Sequence, residues 1–285
     1  MADGPLVIDL NSILRKRLPK KINRLVPGFL ISSLARLIRQ DELNEILRIA
    51  YPSRGSEFSK KVLKHLDITL TVEGLDKLPE GHRFMFASNH PLGGLDGIAL
   101  IAVLGERYGD ENIRALVNDM LMNVEPLRDV FLPINKFGKQ GREASILITE
   151  ALNSEKQILQ FPAGLCSRLN DNGKIQDLEW QKSFVAKAIE TKRDIVPIYF
   201  EGNNTKKFYK TARLRKRLGL KFNVEQILLP SEVCKATGNH YRIIFGDPIS
   251  WETLKQTGKS AKSLASEIRN TVYHLNHNDS ENNRE

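Results

Sequence analysis

The stretch Arg83-Phe-Met-Phe-Ala-Ser-Asn-His-Pro-Leu-Gly-Gly-Leu-Asp96 decides the fold class. Its first half is an apolar run of strand length without polar alternation, the pattern of a strand buried on both faces. Pro91 and two glycines interrupt the run, so the chain turns after Ser88. Apolar residues at helical spacing follow and predict a helix over 96–108. A buried strand, a tight turn and a helix make half of a parallel crossover unit.

The alternation continues on both sides. Residues 67–72 (DITLTV), 113–117 (IRALV), 157–161 (QILQF), 195–200 (IVPIYF) and 241–245 (YRIIF) are strand candidates. Helical patterns cover 141–152, 178–191 and 260–274. The expectation is an α/β fold: a single domain with a mostly buried mixed sheet flanked by helices, plus an N-terminal helical segment. The boundaries fall at 1–65 for that segment, 66–275 for the sheet domain and 276–285 for a disordered polar tail. Internal repeats and low-complexity linkers are absent, so no second globular domain is indicated.

The 285 residues carry 43 Lys and Arg against 34 Asp and Glu, a net charge of +9. Such an excess favours anionic partners without choosing among nucleic acid, lipid and small acids. Cys166 and Cys234 are the only cysteines, which excludes a disulfide framework or a Cys-rich zinc module and fits a reducing compartment. The opening residues MADGPLVIDL lack the pattern of a secretory signal, and no apolar stretch reaches spanning length. The expected location is cytoplasmic, peripheral on the inner face of the cell membrane. Two segments suit that setting. Six basic residues from Arg15 to Arg24 precede the apolar run 25–38, a pattern shared by interfacial helices and by a hairpin packed on the main domain. Residues 206–221 (KKFYKTARLRKRLGLK) hold eight Lys or Arg and no acid. No nucleic-acid module accompanies them, so an anionic membrane surface is the expected partner of 15–38 and 206–221, with a solvated helix face as the plain alternative.

The sharpest chemistry lies at His90 and Asp96. A turn places His90 at a strand end, and Asp96 follows six residues later at the expected helix N-cap. A carboxylate that accepts from one imidazole nitrogen leaves the other as a general base. By spacing alone, a turn His and an N-cap Asp with no further duty fit as well. Backbone N–H groups near Gly93 and Gly94 are candidates to hold an oxyanion. The remaining histidines, His65, His82, His240, His274 and His277, lack ligand spacing, so neither metal nor cofactor is expected.

Taken with the later blocks, this motif resembles the glycerolipid acyltransferases, the lysophosphatidic-acid acyltransferases and their relatives. That family carries Asn-His-x4-Asp after a strand, and here Asn89-His90 and Asp96 stand one residue further apart. Its third block, Phe-Pro-Glu-Gly-Thr-Arg-Ser, is similar to Phe161-Pro-Ala-Gly-Leu-Cys-Ser-Arg168. Ile195-Val-Pro-Ile-Tyr-Phe200 and Gly246-Asp-Pro-Ile249 match the closing blocks, and Phe131-Leu-Pro-Ile-Asn-Lys-Phe137 faintly matches the second. The extra residue resembles the hemolysin-like branch, which includes O-acyltransferases of ornithine and glycine aminolipids.

The resemblance implies transfer of a fatty acyl group from acyl-ACP or acyl-CoA, a co-substrate, to the hydroxyl of a lyso-lipid, either lysophosphatidic acid or a lyso-aminolipid. His90 and Asp96 would be the catalytic pair. Asn89, Gly93, Gly94, Phe161, Pro162, Gly164 and Pro197 would line the substrate, and Lys136 and Arg168 would bind the acceptor's anion. Ala163 and Leu165-Cys166 replace residues that contact phosphate in the family, so the acceptor is left open. The alternatives are a hemolysin-like lipid hydrolase and a non-catalytic lipid-binding protein. Absence of a Gly-x-Ser-x-Gly elbow counts against a serine lipase. Cys166 reads as a small buried residue rather than a nucleophile.

Overall fold

The computed structural model describes residues 4–17, 27–135, 141–220 and 223–276. Seven strands form the central sheet: β1 (Thr69–Glu73), β2 (Phe84–Ser88), β3 (Ile113–Asn118), β4 (Phe131–Ile134), β5 (Gln157–Gln160), β8 (Asp194–Phe200) and β9 (His240–Phe245). A separate two-stranded ribbon pairs β6 (Arg168–Leu169) with β7 (Ile175–Gln176). The sheet order is β1-β9-β8-β2-β5-β3-β4, and every pairing is parallel except β8 with β9. The fold is therefore α/β with a mostly parallel mixed sheet flanked by helices.

Central strands are apolar on both faces because helices cover both. Phe84 and Phe86 point into one core with Phe58, Val62, Leu100 and Leu104. Met85 and Ala87, one residue out of phase, point into the other with Phe184, Val185, Ile268 and Val272. The period-two alternation of side chains thus explains why β2 carries no polar face. Pro133 sits in β4, the last strand in the order, where a missing N–H is tolerated.

Most expected elements lie within a few residues of their places. The helix expected over 178–191 begins only at Ser183, since Trp180 turns inward and its indole N–H reaches Asp177. β4 and the short helices Leu229–Lys235 and Trp251–Gln256 had no periodic signal long enough to read. In the N-terminal segment, the helices Gln40–Ala50 and Gly55–His65 bury Ile46, Leu47, Phe58 and Val62 in the same core as the sheet. The line at 65/66 therefore crosses one packed unit. The Gly28–Leu37 helix is different: Ile31 is buried while Phe29 and Leu30 are 68% and 50% exposed. Residues 18–26 of the basic flank and 277–285 of the expected tail lie outside the described residues.

Among the described residues the largest fully buried side chain is charged. Arg193 is 0% exposed and donates to the carbonyls of Ala151, Leu152, Ser154, Lys156 and Phe84. Several of these belong to the end of the Arg142–Asn153 helix, whose last carbonyls have no partner within the helix. One guanidinium therefore joins that helix end to β2 and to the chain entering β5 and β8. Arg193→Met keeps the volume but strips five carbonyls of a charged donor. It is expected to lower unfolding stability by about 3 kcal/mol or more, read as a fall in the denaturant midpoint.

Candidate active site

In the parallel part of the sheet, β8, β2 and β5 are neighbours whose carboxyl ends lie along one edge, the usual place for ligands in open α/β sheets. His90 leaves β2 there. Phe161 leaves β5 beside it, and the two rings stack with centroids 4.0 Å apart and planes 26° from parallel. Asn89 is buried and joins the strand ends: its amide donates to Phe200 O at 2.9 Å, and its Oδ1 accepts from Phe200 N at 2.6 Å. Its side chain is thereby engaged in holding β2 to β8 rather than facing a substrate.

Asp96 is 0% exposed and organises the turn around itself. Its Oδ2 accepts from His90 Nδ1 at 3.0 Å, Leu92 N at 2.9 Å and Gly93 N at 3.2 Å, and its Oδ1 accepts from Gly97 N at 2.9 Å. Burial pushes the carboxyl up. The charge and hydrogen bond of His90, with the Leu92 and Gly93 N–H groups, outweigh burial and hold Asp96 below the ordinary carboxylate range. An ionised carboxylate only accepts, so Nδ1 carries a proton, and in the neutral imidazole it is Nε2 that presents a lone pair. The imidazole is partly exposed, which leaves that lone pair reachable.

Two details differ from the sequence reading. The helix begins at Leu95 with Gly94 as its N-cap, so Asp96 stands inside the first turn and accepts from the N–H groups of the preceding loop. The Gly93 N–H is consequently bonded to Asp96 and cannot serve an oxyanion. Gly93 matters for another reason. Its φ is +76°, and a Cβ there would lie 2.9 Å from Leu229 and 3.0 Å from Cys166. Gly94 is the N-cap residue of that helix.

The family model described as Acyltransferase matches residues 12–281. The chain belongs to this acyltransferase family. Lyso-glycine lipid O-acyltransferases of Phocaeicola vulgatus and Bacteroides thetaiotaomicron are 41% and 40% identical to it over 273 residues, covering 96% of this chain and 96% and 99% of theirs. The crystal structure of a 1-acyl-sn-glycerophosphate acyltransferase from Thermotoga maritima aligns with 88% of this chain and 92% of its own at 14% identity, with a TM-score of 0.45.

For this acyltransferase several expected binding residues carry internal duties. Arg168 donates to Glu225 Oε1 at 2.9 Å, to Cys166 O at 2.6 Å and to Cys166 Sγ at 2.9 Å, and lies 5.2 Å from the Phe208 ring centroid. Arg215 Nε stands 3.0 Å from Glu225 Oε2, an ion pair without hydrogen-bond alignment. The expectation that Arg168 binds the acceptor's anion thus meets a guanidinium already committed to a buried acid. Pro197 is buried inside β8 opposite Ala87, and its carbonyl accepts from Gly246 N, so it lies in the sheet interior. Pro162 O accepts from Gln181 N, and Gly164 N donates to Phe161 O, closing the turn that presents Phe161. Lys136 lies outside the described residues. Burial pushes the Cys166 thiol up to about 11, so it stays protonated near neutral pH and makes a poor nucleophile.

The sequence reading missed Asp177, Ser167 and Asn204. Asn204 donates to Pro91 O at 3.1 Å and supports the turn from the far side. Ser167 falls at the closing Ser of the third block, which could have marked it, whereas no local pattern marks Asp177 or Asn204, because each finds its partner through the fold. The committed state of Arg168 has a measurable consequence. Arg168→Ala leaves Glu225 half paired in a buried site and is expected to lower stability by about 3 kcal/mol. Arg168→Lys is not expected to recover it, since an ammonium lacks the planar fork. A fully stable Arg168→Ala variant with a raised acceptor KM would return Arg168 to the headgroup.

Proposed function

We propose that the protein acylates the hydroxyl of a lyso-glycine lipid, with acyl-ACP or acyl-CoA as donor. The carrying observation is the His90–Asp96 pair at the carboxyl edge of β2: a base with a fixed tautomer and a reachable Nε2. In this reading Nε2 takes the acceptor's hydroxyl proton as the oxygen attacks the thioester carbonyl. Asp96 steadies the imidazolium that forms. The tetrahedral intermediate then expels the thiolate, which receives the proton from Nε2. No side-chain nucleophile is needed.

The choice of acceptor rests on two supports. The relatives that match nearly the whole chain are named for the lyso-glycine lipid. A glycine headgroup offers a carboxylate rather than a phosphate, and here Ala163 is buried while Arg168 is paired with Glu225. Purified protein incubated with labelled donor and lyso-glycine lipid should yield the diacyl product, with lysophosphatidic acid a poorer acceptor. His90→Ala should lose at least about a hundredfold in rate and Asp96→Asn somewhat less, both while remaining folded. Release of free fatty acid instead would identify a hydrolase, and preference for lysophosphatidic acid would overturn the acceptor.

The acceptor lies in a bilayer, so the protein must meet one. Among the described residues no helix is long and apolar enough to cross a membrane. We assign docking to the Gly28–Leu37 helix, through exposed Phe29 and Leu30, and to the far end of the Lys206–Arg217 helix. That helix buries Phe208, Tyr209 and Ala212 and turns Leu214 and Arg213, Lys216 and Arg217 outward. Leu214 and Leu218 are 57% and 63% exposed beside these cations, the composition of an interfacial element. Arg215 is excluded because it is held by Glu225. Changing Arg213, Lys216 and Arg217 together to Gln should weaken binding to anionic vesicles by up to about a hundredfold at low salt, at about 1 kcal/mol per charge. The difference should shrink as salt rises. Unchanged vesicle binding would make this end a solvated face.

A further inference from the structure

A second buried carboxylate stands behind His90. Asp177 lies 87 residues further along the chain, in the loop between β7 and the Ser183–Glu190 helix, and is 4% exposed. Its Oδ1 accepts from the main-chain N–H of His90 at 3.1 Å and from the Ser167 hydroxyl at 2.6 Å. Its Oδ2 accepts from the Trp180 indole N–H at 2.9 Å. Ser167 closes the clamp from the other side, since its main-chain N–H donates to His90 O at 2.7 Å. Both polar groups of the His90 backbone are thus held by one Asp–Ser pair, at a point where β2 has ended.

The final helix, Ala261–Leu275, holds the backbone of Asp177. Asp177 N donates to the Tyr273 hydroxyl at 2.7 Å, and Arg269 donates to Asp177 O at 2.6 Å. Every side-chain contact of the carboxylate comes from a donor, so the site calls for a group that only accepts. An amide would turn one N–H donor against another. Among the described residues no cation pairs with Oδ1 or Oδ2, and burial raises the carboxyl while Ser167, Trp180 and the His90 N–H draw it back. Retaining an acid there opposes folding near neutral pH, which points to a use beyond packing.

We propose that Asp177 is a positioning residue for His90: it fixes the backbone that carries the imidazole and adds a second negative charge favouring the imidazolium formed during acyl transfer. This rests on His90 acting as the base. Asp96 acts on the ring through Nδ1, while Asp177 acts through the main chain, so the two carboxylates make separate contributions. The other titratable or charged groups around the clamp are Cys166 on the loop before it, Arg168 at the start of β6, and Arg269 and Tyr273 on the Ala261–Leu275 helix. The Cys166 thiol and the Tyr273 hydroxyl are both pushed up by burial, so neither supplies charge near neutral pH.

The test is a pH series of kcat and KM for donor and acceptor with Asp177→Asn, beside the wild type and His90→Ala. Losing a charged hydrogen-bond partner should lower kcat by about ten- to a hundredfold, with both KM values little changed. The acidic limb of the rate profile should move to lower pH, because removing a nearby anion disfavours the imidazolium. A folded Asp177→Asn with wild-type kcat and an unmoved acidic limb would overturn the proposal, as would a variant altered only in melting temperature. Should Asp177→Asn not fold, Ser167→Ala decides: a fall in kcat of at least about threefold at constant KM supports the clamp, and an unchanged kcat sinks it. His90→Ala separates the two readings. If it keeps wild-type activity, the base assignment itself fails; if it is inactive while Asp177→Asn is not, only the clamp fails.

Discussion

A carboxylate without water must be surrounded by donors, and the Asp96 side chain meets that constraint by folding the motif around itself. Leu92 N, Gly93 N, Gly97 N and His90 Nδ1 converge on its two oxygens. That convergence forces the tight turn after β2, which requires a glycine at position 93 with positive φ and no side chain against Leu229 and Cys166. It also sets where the Leu95–Tyr108 helix starts and which imidazole nitrogen carries the proton. One buried charge therefore shapes the turn, the helix entry and the base together.

Around this centre the fold repeats one device, a buried ion anchored by segments distant in sequence. Arg193 collects carbonyls from a helix end, from β2 and from the chain entering β5. Glu225 gathers Arg168 from the start of β6, next to Ser167, and Arg215 from the basic helix. Buried pairs of this kind contribute little net stability relative to apolar packing, but breaking one partner is strongly destabilising. The Glu225 pair also links the helix assigned to the bilayer with the loop whose Ser167 holds the His90 carbonyl.

Charge on the Lys206–Arg217 helix divides by geometry. Phe208 and Tyr209 face the interior, and with them Arg215 turns to Glu225. Arg213, Lys216 and Arg217 remain outward, next to exposed Leu214 and Leu218. A count of basic residues cannot separate these roles, since helical phase decides which cations meet protein and which meet solvent. The aromatics that interleave the cluster in sequence are core residues rather than a stacking surface for bases.

What the sequence determined by itself was local: the buried strand over 83–88, its turn, the helix after it, the α/β alternation, and the nearness of His90 to Asp96. Six residues and a glycine turn suffice to bring that pair together, so short-range pattern could reveal it. The tertiary structure alone decided the rest. It closed Gly93 N–H onto Asp96, turned Asn89 toward Phe200, drew Arg168 to Glu225 and brought Asp177 under His90 from 87 residues away. Each of these depends on which donor or acceptor the folded chain leaves unpaired at one point in space. Hydrogen-bond satisfaction is settled across the sheet edge and between loops, and sequence periodicity carries no record of it.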